Sequence, residues 1–280
     1  IGNIHISLGA VSRTEQRVSV ALAEPVDEAI RHVQAHPVKN CDATSWRTGT
    51  SARQLWVMAC TLVSVFRITT NGTAETVKAL LGTVKGILIS DRASVFSFWV
   101  LGCRQVCWAH LIRAFHKFEQ RDGAAAEVGR DLLAQTHLVM TWWHRVRDGT
   151  LQRSTFQTYL VGPRSQMKQI LERGCRCEHV KTERTCARLL KVFVALWTFA
   201  RVLGVEPTNN RAERDVRLAV IWRKTSYGTQ SERGERFVER MMTVVTTLRL
   251  QRRNVLEYLA SAYIAHLGHT TPPSLLPTNP

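Results

Sequence analysis

Three acidic residues stand where a fold could make them into a metal site. Asp42 ends the strand-like run Val38 to Asp42. Asp91 closes the apolar run Gly86-Ile87-Leu88-Ile89-Ser90-Asp91. Glu213 opens a basic segment that begins Thr208-Asn209-Asn210-Arg211-Ala212-Glu213-Arg214. A short buried strand delivers a side chain at its C-terminal edge in this way. Carboxylates suit Mg²⁺, a hard ion that prefers oxygen ligands in near-octahedral geometry. Two such ions ~3.5–4 Å apart can activate an attacking oxygen and stabilise the leaving oxygen of a phosphodiester. Each acid also has a local explanation. Asp42 can cap a turn before Trp46, and Asp91 with Ser90 can N-cap the following helix. Asn210-Arg211-Ala212-Glu213 has capping-box spacing, with Glu213 at the third helical position. Spacing alone leaves both readings open, because only a fold can bring together acids so distant in sequence.

The surroundings are basic. Lys plus Arg number 38 against 22 acids, a formal net charge of +16. Such a balance points to a polyanionic partner, nucleic acid first, with a ribosome-like or membrane-surface role as the alternative. No run reaches the ~18 apolar residues that a membrane span needs. The most apolar helix, Val192 to Ala200, is bracketed by Lys191 and Arg201 and reads as core. The N-terminus lacks the order of a secretory signal. Seven cysteines without disulfide-like spacing fit a reducing cytoplasm. The chain does not begin with Met, so further sequence upstream is expected.

The elements that must position the acids follow from periodicity. Residues 10–36 read as helix, interrupted near Pro25 and stopped by Pro37. Strand-like runs follow at Val38–Asp42, Leu55–Cys60 and Leu62–Thr69, then a turn at Asn71-Gly72 and a helix at Ala74–Leu81. After the run that ends in Asp91, Gln105-Val106-Cys107 reads as another short strand. From His110 to about Leu203 the pattern is helical, including Glu127–Val146 and Arg184–Leu203, with breaks at Gly162-Pro163 and near Gly174. Strands first and helices later predict an α/β or α+β chain with an α-helical insertion. The expected organisation is an N-terminal helical segment (1–37), the first part of the core (38–115), the insertion (116–205), core completion with the basic helix (206–262) and a proline-rich disordered tail (263–280).

Other constellations carry chemistry with duller alternatives. Cys107-Trp108-Ala109-His110 has Cys-x-x-His spacing, with Cys107 in the core and His110 orienting a carboxylate or a phosphate. Cys175, Cys177, His179 and Cys186 offer four donors within twelve residues. Either structural Zn²⁺ on donors among these four or plain buried thiols fit this run. Arg217 lies one turn after Glu213 on the same helical face. Arg223 and Lys224 beside Trp222 suit phosphate contacts with an aromatic available to stack on a base. Trp142, Trp143 and Trp197 read as core of the helical block.

The stretch from Thr208 to Leu259 closely resembles the C-terminal part of the insertion-sequence 66 family of bacterial transposases. Thr208-Asn209-Asn210, Ala212-Glu213-Arg214, Trp222-Arg223-Lys224, Gly228-Thr229-Gln230-Ser231, Arg236-Phe237-Val238-Glu239-Arg240 and Arg253-Asn254-Val255-Leu256 carry it. Upstream, Asp42, Trp46-Arg47, Ser90-Asp91-Arg92 and Cys107-Trp108-Ala109-His110-Leu111 fit the same family. The resemblance implies a DDE transposase catalytic domain of ribonuclease-H-like fold: a mixed sheet flanked by helices, with an α-helical insertion before the last acid. It implies Asp42, Asp91 and Glu213 as the triad holding two Mg²⁺ or Mn²⁺ ions, and cleavage at transposon ends followed by strand transfer into target DNA. Within the cysteine-rich run it implies Cys177, His179 and Cys186 as the set for structural Zn²⁺. It further implies a homo-oligomer on paired ends, small accessory proteins of the same element, and a bacterial, cytoplasmic, nucleoid-associated setting. The sequence departs from the family at Ala43-Thr44-Ser45, where Glu-Thr-Gly is usual, at Phe96-Ser97-Phe98 and at Ala114. The family's N-terminal end-binding regions are absent. The alternatives are therefore a catalytically inactive, truncated remnant that keeps the fold and DNA surface, or a ribonuclease-like hydrolase without strand transfer.

Overall fold

The computed structural model describes residues 6–277. In chain order its elements are α1 (Leu8–Ala21), α2 (Ala23–Ala35), β1 (Val38–Thr48), β2 (Ser51–Ala59), β3 (Ser64–Thr69), α3 (Ala74–Leu81), β4 (Ile87–Ser90) and β5 (Arg104–Val106). Then follow α4 (Trp108–Glu119), α5 (Gly123–Arg147), α6 (Arg153–Tyr159), α7 (Val161–Gly174), α8 (Val180–Lys191), α9 (Thr198–Arg201), α10 (Asn210–Ser226), α11 (Glu232–Leu250) and α12 (Val255–Leu267). The fold is α/β, with antiparallel and parallel strands flanked by helices, compatible with a ribonuclease-H-like arrangement. Among the described residues no helix is long and apolar enough to cross a membrane. The chain forms two compact units. The first comprises residues up to Gly86, Ser94–Phe98 and residues from Asn210 on; the second comprises Ile87–Ala93 and Trp99–Asn209.

In the first unit β1, β2 and β3 form an antiparallel meander, with Asp42 opposite Val57 and Val57 opposite Phe66. The β1–β2 hairpin closes at Gly49, whose φ of 56° suits glycine. Asp42 was expected at the end of a strand; it lies inside β1, which runs on to Thr48. The extension exists because Ala43–Thr48 pairs with Ser51–Trp56, a non-local partnership that composition does not announce. Side chains alternate along a strand, so Asp42, Thr44 and Trp46 share a face. On that face Trp46, Leu55, Val57, Phe66 and Ile68 pack against Ala212, Val216 and Ala219 of α10 and Val238 and Met242 of α11.

Helix α11 also covers the outer edge of β3. Thr247, Thr243 and Glu239, one helical turn apart, accept hydrogen bonds from the backbone N–H groups of Ser64 (3.1 Å), Phe66 (3.0 Å) and Ile68 (2.5 Å). These donors would otherwise be buried without partners, and an open edge invites pairing with another chain. At the N-terminal side Pro25 is the third residue of α2, in the first turn, where the missing N–H costs nothing. The proline-rich end was expected to be disordered, yet α12 runs to Leu267 and the residues after it are tied back. Arg253 donates to the carbonyls of Ser274 (3.0 Å) and Leu276 (3.2 Å), Tyr258 to that of Pro273 (2.7 Å), and Leu275 is fully buried. Residues 278–280 of that tail lie outside the described residues.

The second unit begins with β4 and β5, a parallel pair with Ser90 opposite Val106. Helices α4 to α9 follow as the helical insertion. Gly129 on α5 lies so close to the backbone of Glu119 on α4 that a side chain there would collide with it. Trp143 and Trp197 are core of this block, as expected, with the Trp143 and Phe199 ring centroids 5.0 Å apart; Trp142, also expected there, is half-buried against the half-exposed Tyr159. The helix expected over Arg184–Leu203 is instead broken after Lys191. The reason is competition from β5 and α4: Gln105 accepts from the Phe199 N–H (2.7 Å), Trp108 donates to the Leu196 carbonyl (2.7 Å), and Thr198 donates to the Arg104 carbonyl (2.6 Å). Gly162-Pro163 was expected to break the helical pattern; both lie in the first turn of α7, and the break falls at Leu160.

Candidate nucleic-acid-processing site

Glu213 sits in the first turn of α10 and is half-buried. The helix begins at Asn210 itself, which puts Glu213 at the fourth helical position, one beyond the place a capping box requires. Which way α10 turns its flanks follows from its anchors. Ala212, Val216 and Ala219 face the sheet. At about 100° per residue, Asp215 and Glu213 fall on opposite sides of that stripe. Asp215 is buried and accepts hydrogen bonds from the Ser64 hydroxyl of β3 and from Arg211 Nε (3.2 Å). Arg211 in turn donates to the Thr61 carbonyl and to Ser64 Oγ, both at 3.2 Å. The Asp215 flank is thus tied to β3, and Glu213 lies on the opposite flank of α10.

The other end of α10 is tied to β1 directly. Arg223 Nη1 donates to Thr44 Oγ1 (3.2 Å), to Ser45 Oγ (2.5 Å) and to the Ser45 carbonyl. The departure from the family at Ser45 thus falls on one of the two residues that hold this arginine, while Thr44, the other, matches the family. Beyond the helix, Gly228-Thr229 runs along the end of β1. The Thr229 N–H donates to the Arg47 carbonyl (2.9 Å), its carbonyl accepts from Gly49 (2.8 Å), and its hydroxyl accepts from Trp46 Nε1 (3.3 Å). Gly228 has φ 103° and lies against the Arg47 carbonyl, so no larger residue fits this part of the motif. Asp42 is half-buried, and its Oδ1 accepts from the N–H of Ala43 at 2.9 Å.

The remaining candidates on α10 divide by exposure. Arg217 and Lys224 are exposed to solvent. Trp222 is half-buried and packs on the core cluster, which leaves only part of its ring for a base.

In the second unit Asp91 directly follows β4 and is half-buried. Its Oδ1 accepts from the Ala93 N–H (3.0 Å), a turn rather than a helix cap, and its carbonyl accepts from Arg104 Nη2 (2.7 Å). Burial lowers the pKa of both Arg92 and Arg104, while the charge of Asp91 acts in the opposite sense on each. The acid therefore sits beside two partly dehydrated guanidinium groups. His110, in the first turn of α4, has a ring nitrogen within 4.8 Å of Cys107 Sγ, and that sulfur accepts from the N–H of Asn209 (3.1 Å).

Cys177 and Cys186 are buried, and His179 N-caps α8, its Nδ1 accepting from the Thr182 N–H at 3.3 Å. Among the described residues the donor atoms of Cys177, His179 and Cys186 are not gathered within 4.8 Å of one another. Sequence reasoning missed Asp215 and Ser64. The i, i+4 spacing of Arg211 and Asp215 was the available signal.

An α/β fold of this kind, strongly basic and with carboxylates presented by strands and by a helix start, has the make-up of nucleases and recombinases. The family model described as Transposase IS66 family matches residues 2–236. The chain belongs to that family, which gives it a transposase role, DNA as its partner and a divalent metal as its cofactor. No curated protein matches it.

Proposed function

We propose that the chain is a DDE transposase in which Asp42, Asp91 and Glu213 are the ligands of two Mg²⁺ or Mn²⁺ ions. The donor set fits the ions, since all three are hard carboxylate oxygens. When bound, the ions would activate the attacking oxygen and stabilise the leaving one. In the first step water forms a bond to phosphorus at the transposon end, the P–O3′ bond breaks, and a 3′-hydroxyl is released. In the second that hydroxyl loses its proton and attacks a target phosphodiester, whose own 3′-oxygen leaves. Asp42, Asp91 and Glu213 would together hold the ions through their carboxylates. Paired ends imply a homo-oligomer, and small proteins of the same element are candidate partners.

The observation that carries this reading is the rotation of α10. A buried anchor at Asp215 and a tie at Arg223 support Glu213 being held toward the strand that bears Asp42. A helix start on a basic segment has no need of such fixing if its acid only caps the backbone. Arg217 and Lys224, exposed on the same helix, are suited to phosphates.

The test is strand transfer by purified protein on a plasmid carrying both ends of its own element, with Mg²⁺ or Mn²⁺. Loss of an outer-shell partner already costs 10–100-fold at metal sites, so Glu213→Gln is expected to lose about a hundredfold or more. Equal product from wild type and Glu213→Gln refutes the role of Glu213. A wild-type chain that binds the ends without cutting them supports the inactive remnant instead.

A further inference from the structure

The second unit carries another concentration of charge. Arg92, His110, Arg113, Lys117, Arg121 and Thr185 line a cavity of about 260 Å³. His110, Arg113 and Lys117 fall on one face of α4, while Leu111, Phe115 and Phe118 on its other side are buried. Arg121 is held in place, donating to the Thr182 hydroxyl and lying 5.1 Å over the Phe118 ring. Arg188, one turn beyond Thr185 on α8, adds its charge, which together with burial lowers the pKa of Arg92; Asp91 acts in the opposite sense. Among the described residues the lining holds no carboxylate. Four permanent cations and a histidine around so small a space, against Asp91 beside Arg92, give it a net positive potential that favours an entering anion.

We propose that this cavity binds a backbone phosphate of duplex DNA without reading its sequence. Arg and Lys side chains are donors only and match the acceptor oxygens of a phosphate, and among the described residues the lining holds no Asn, Gln or carboxylate to read adenine or cytosine. The guanidinium fork binds two phosphate oxygens at once, and Ala114 and Phe118 complete the lining. Binding of this kind fixes the register of the duplex and carries no sequence information. The proposal rests on DNA being the substrate, as proposed above.

The experiment measures binding of the full chain to a mixed-sequence duplex in EDTA over a salt series, so that no strand chemistry intervenes. The variant is Arg113→Gln/Lys117→Gln, both exposed and therefore tolerant of change. A control, Arg164→Gln/Lys168→Gln, removes two other exposed charges from α7 of the same unit, where Lys168 faces Glu172. The slope of log K against log salt is expected to fall by about one for each phosphate that the first variant no longer neutralises, and to stay near wild type in the control. For one phosphate that is a roughly 3.5-fold smaller loss of affinity between 50 and 200 mM salt. An unchanged slope in the first variant, or an equal fall in the control, overturns the site while leaving strand transfer intact. A wild-type chain that binds no duplex overturns the site and the DNA reading together.

Discussion

Asp215→Asn and Asp215→Ala test whether the aim of Glu213 depends on a buried anchor two residues away. The Asp215 side chain is 8% exposed and that of Arg211 19%, with Nε to Oδ2 at 3.2 Å. At that distance and an effective dielectric constant of about 20 the attraction is roughly 5 kcal/mol, much of it offset by dehydration of both groups. Breaking a fully buried pair costs about 3–5 kcal/mol. Arg211 is partly rehydrated when its partner goes, and it keeps bonds to Thr61 and Ser64. The alanine variant is therefore expected near the lower end, about 2–3 kcal/mol, or a fall in melting temperature of about 4–12 °C for a unit of this size. Asparagine keeps an acceptor for the Ser64 hydroxyl and should cost about half as much. Strand transfer should fall more than stability accounts for, measured well below the melting temperature, because α10 can then roll and carry Glu213 with it. DNA affinity should barely change. The reasoning is refuted if Asp215→Ala melts within a degree of wild type, or if it melts lower yet transfers strands at the wild-type rate.

Two further outcomes follow from packing and titration. Thr247→Val removes the partner of both the Ser64 N–H (3.1 Å) and the Ser64 carbonyl (3.0 Å), whereas Thr243→Val orphans only the Phe66 N–H. At about 1–3 kcal/mol for each buried group left unsatisfied, Thr247→Val should be the more damaging, and hydrogen exchange should quicken at the β3 amides before the rest of the unit. The third concerns alkali. Burial, helped by the neighbouring Cys175 and Cys177, pushes the Cys186 thiol up to about 12 from an ordinary value of 9.0. The raised value means that the folded state holds the proton more tightly. Its contribution is complete below about pH 9 and is lost as pH rises toward 12. Thermal melts should fall over that window, and Cys186→Ala should flatten part of the fall; an unchanged profile counts against the burial argument.

What could be read from the sequence was what depends on neighbours along the chain. The short run ending at Asp91, the helix Ala74–Leu81 and the helical block all show in local periodicity, and β4, α3 and α4–α8 occupy those places. What could not be read depends on partners far away. β1 extends past Asp42 because β2 pairs with it, and the helix after Lys191 breaks because Gln105, Trp108 and Arg104 take its backbone bonds. The proline-rich end looked loose because its tether, Arg253 with Tyr258, is made of ordinary helix-end residues. Asp215 was passed over for the same reason: beside four arginines it reads as a solvated charge, and only the proximity of Ser64 makes it a buried one.

On the proposed function helix α10 bears two acids with separate work. A metal ligand must be held within about 0.5 Å of its productive position, and a side chain in the first turn of a helix moves with any roll of that helix. Small apolar residues such as Ala212 and Ala219 bring α10 close to the sheet, but a smooth contact of that kind resists rolling poorly. Asp215 supplies the resistance, because a roll of α10 parts it from the buried Ser64 hydroxyl and takes Arg211, which moves with it, away from Ser64 and the Thr61 carbonyl. Arg223 adds a second fixed point eight residues on, about 12 Å along the axis, so that tilt is opposed as well as roll. Had Asp215 been an apolar residue, the unit could still fold, and folding alone would not require Arg223 to reach β1. The pair makes sense as the support of a group that must not move. That is the physical reason for reading Glu213 as a ligand rather than a cap.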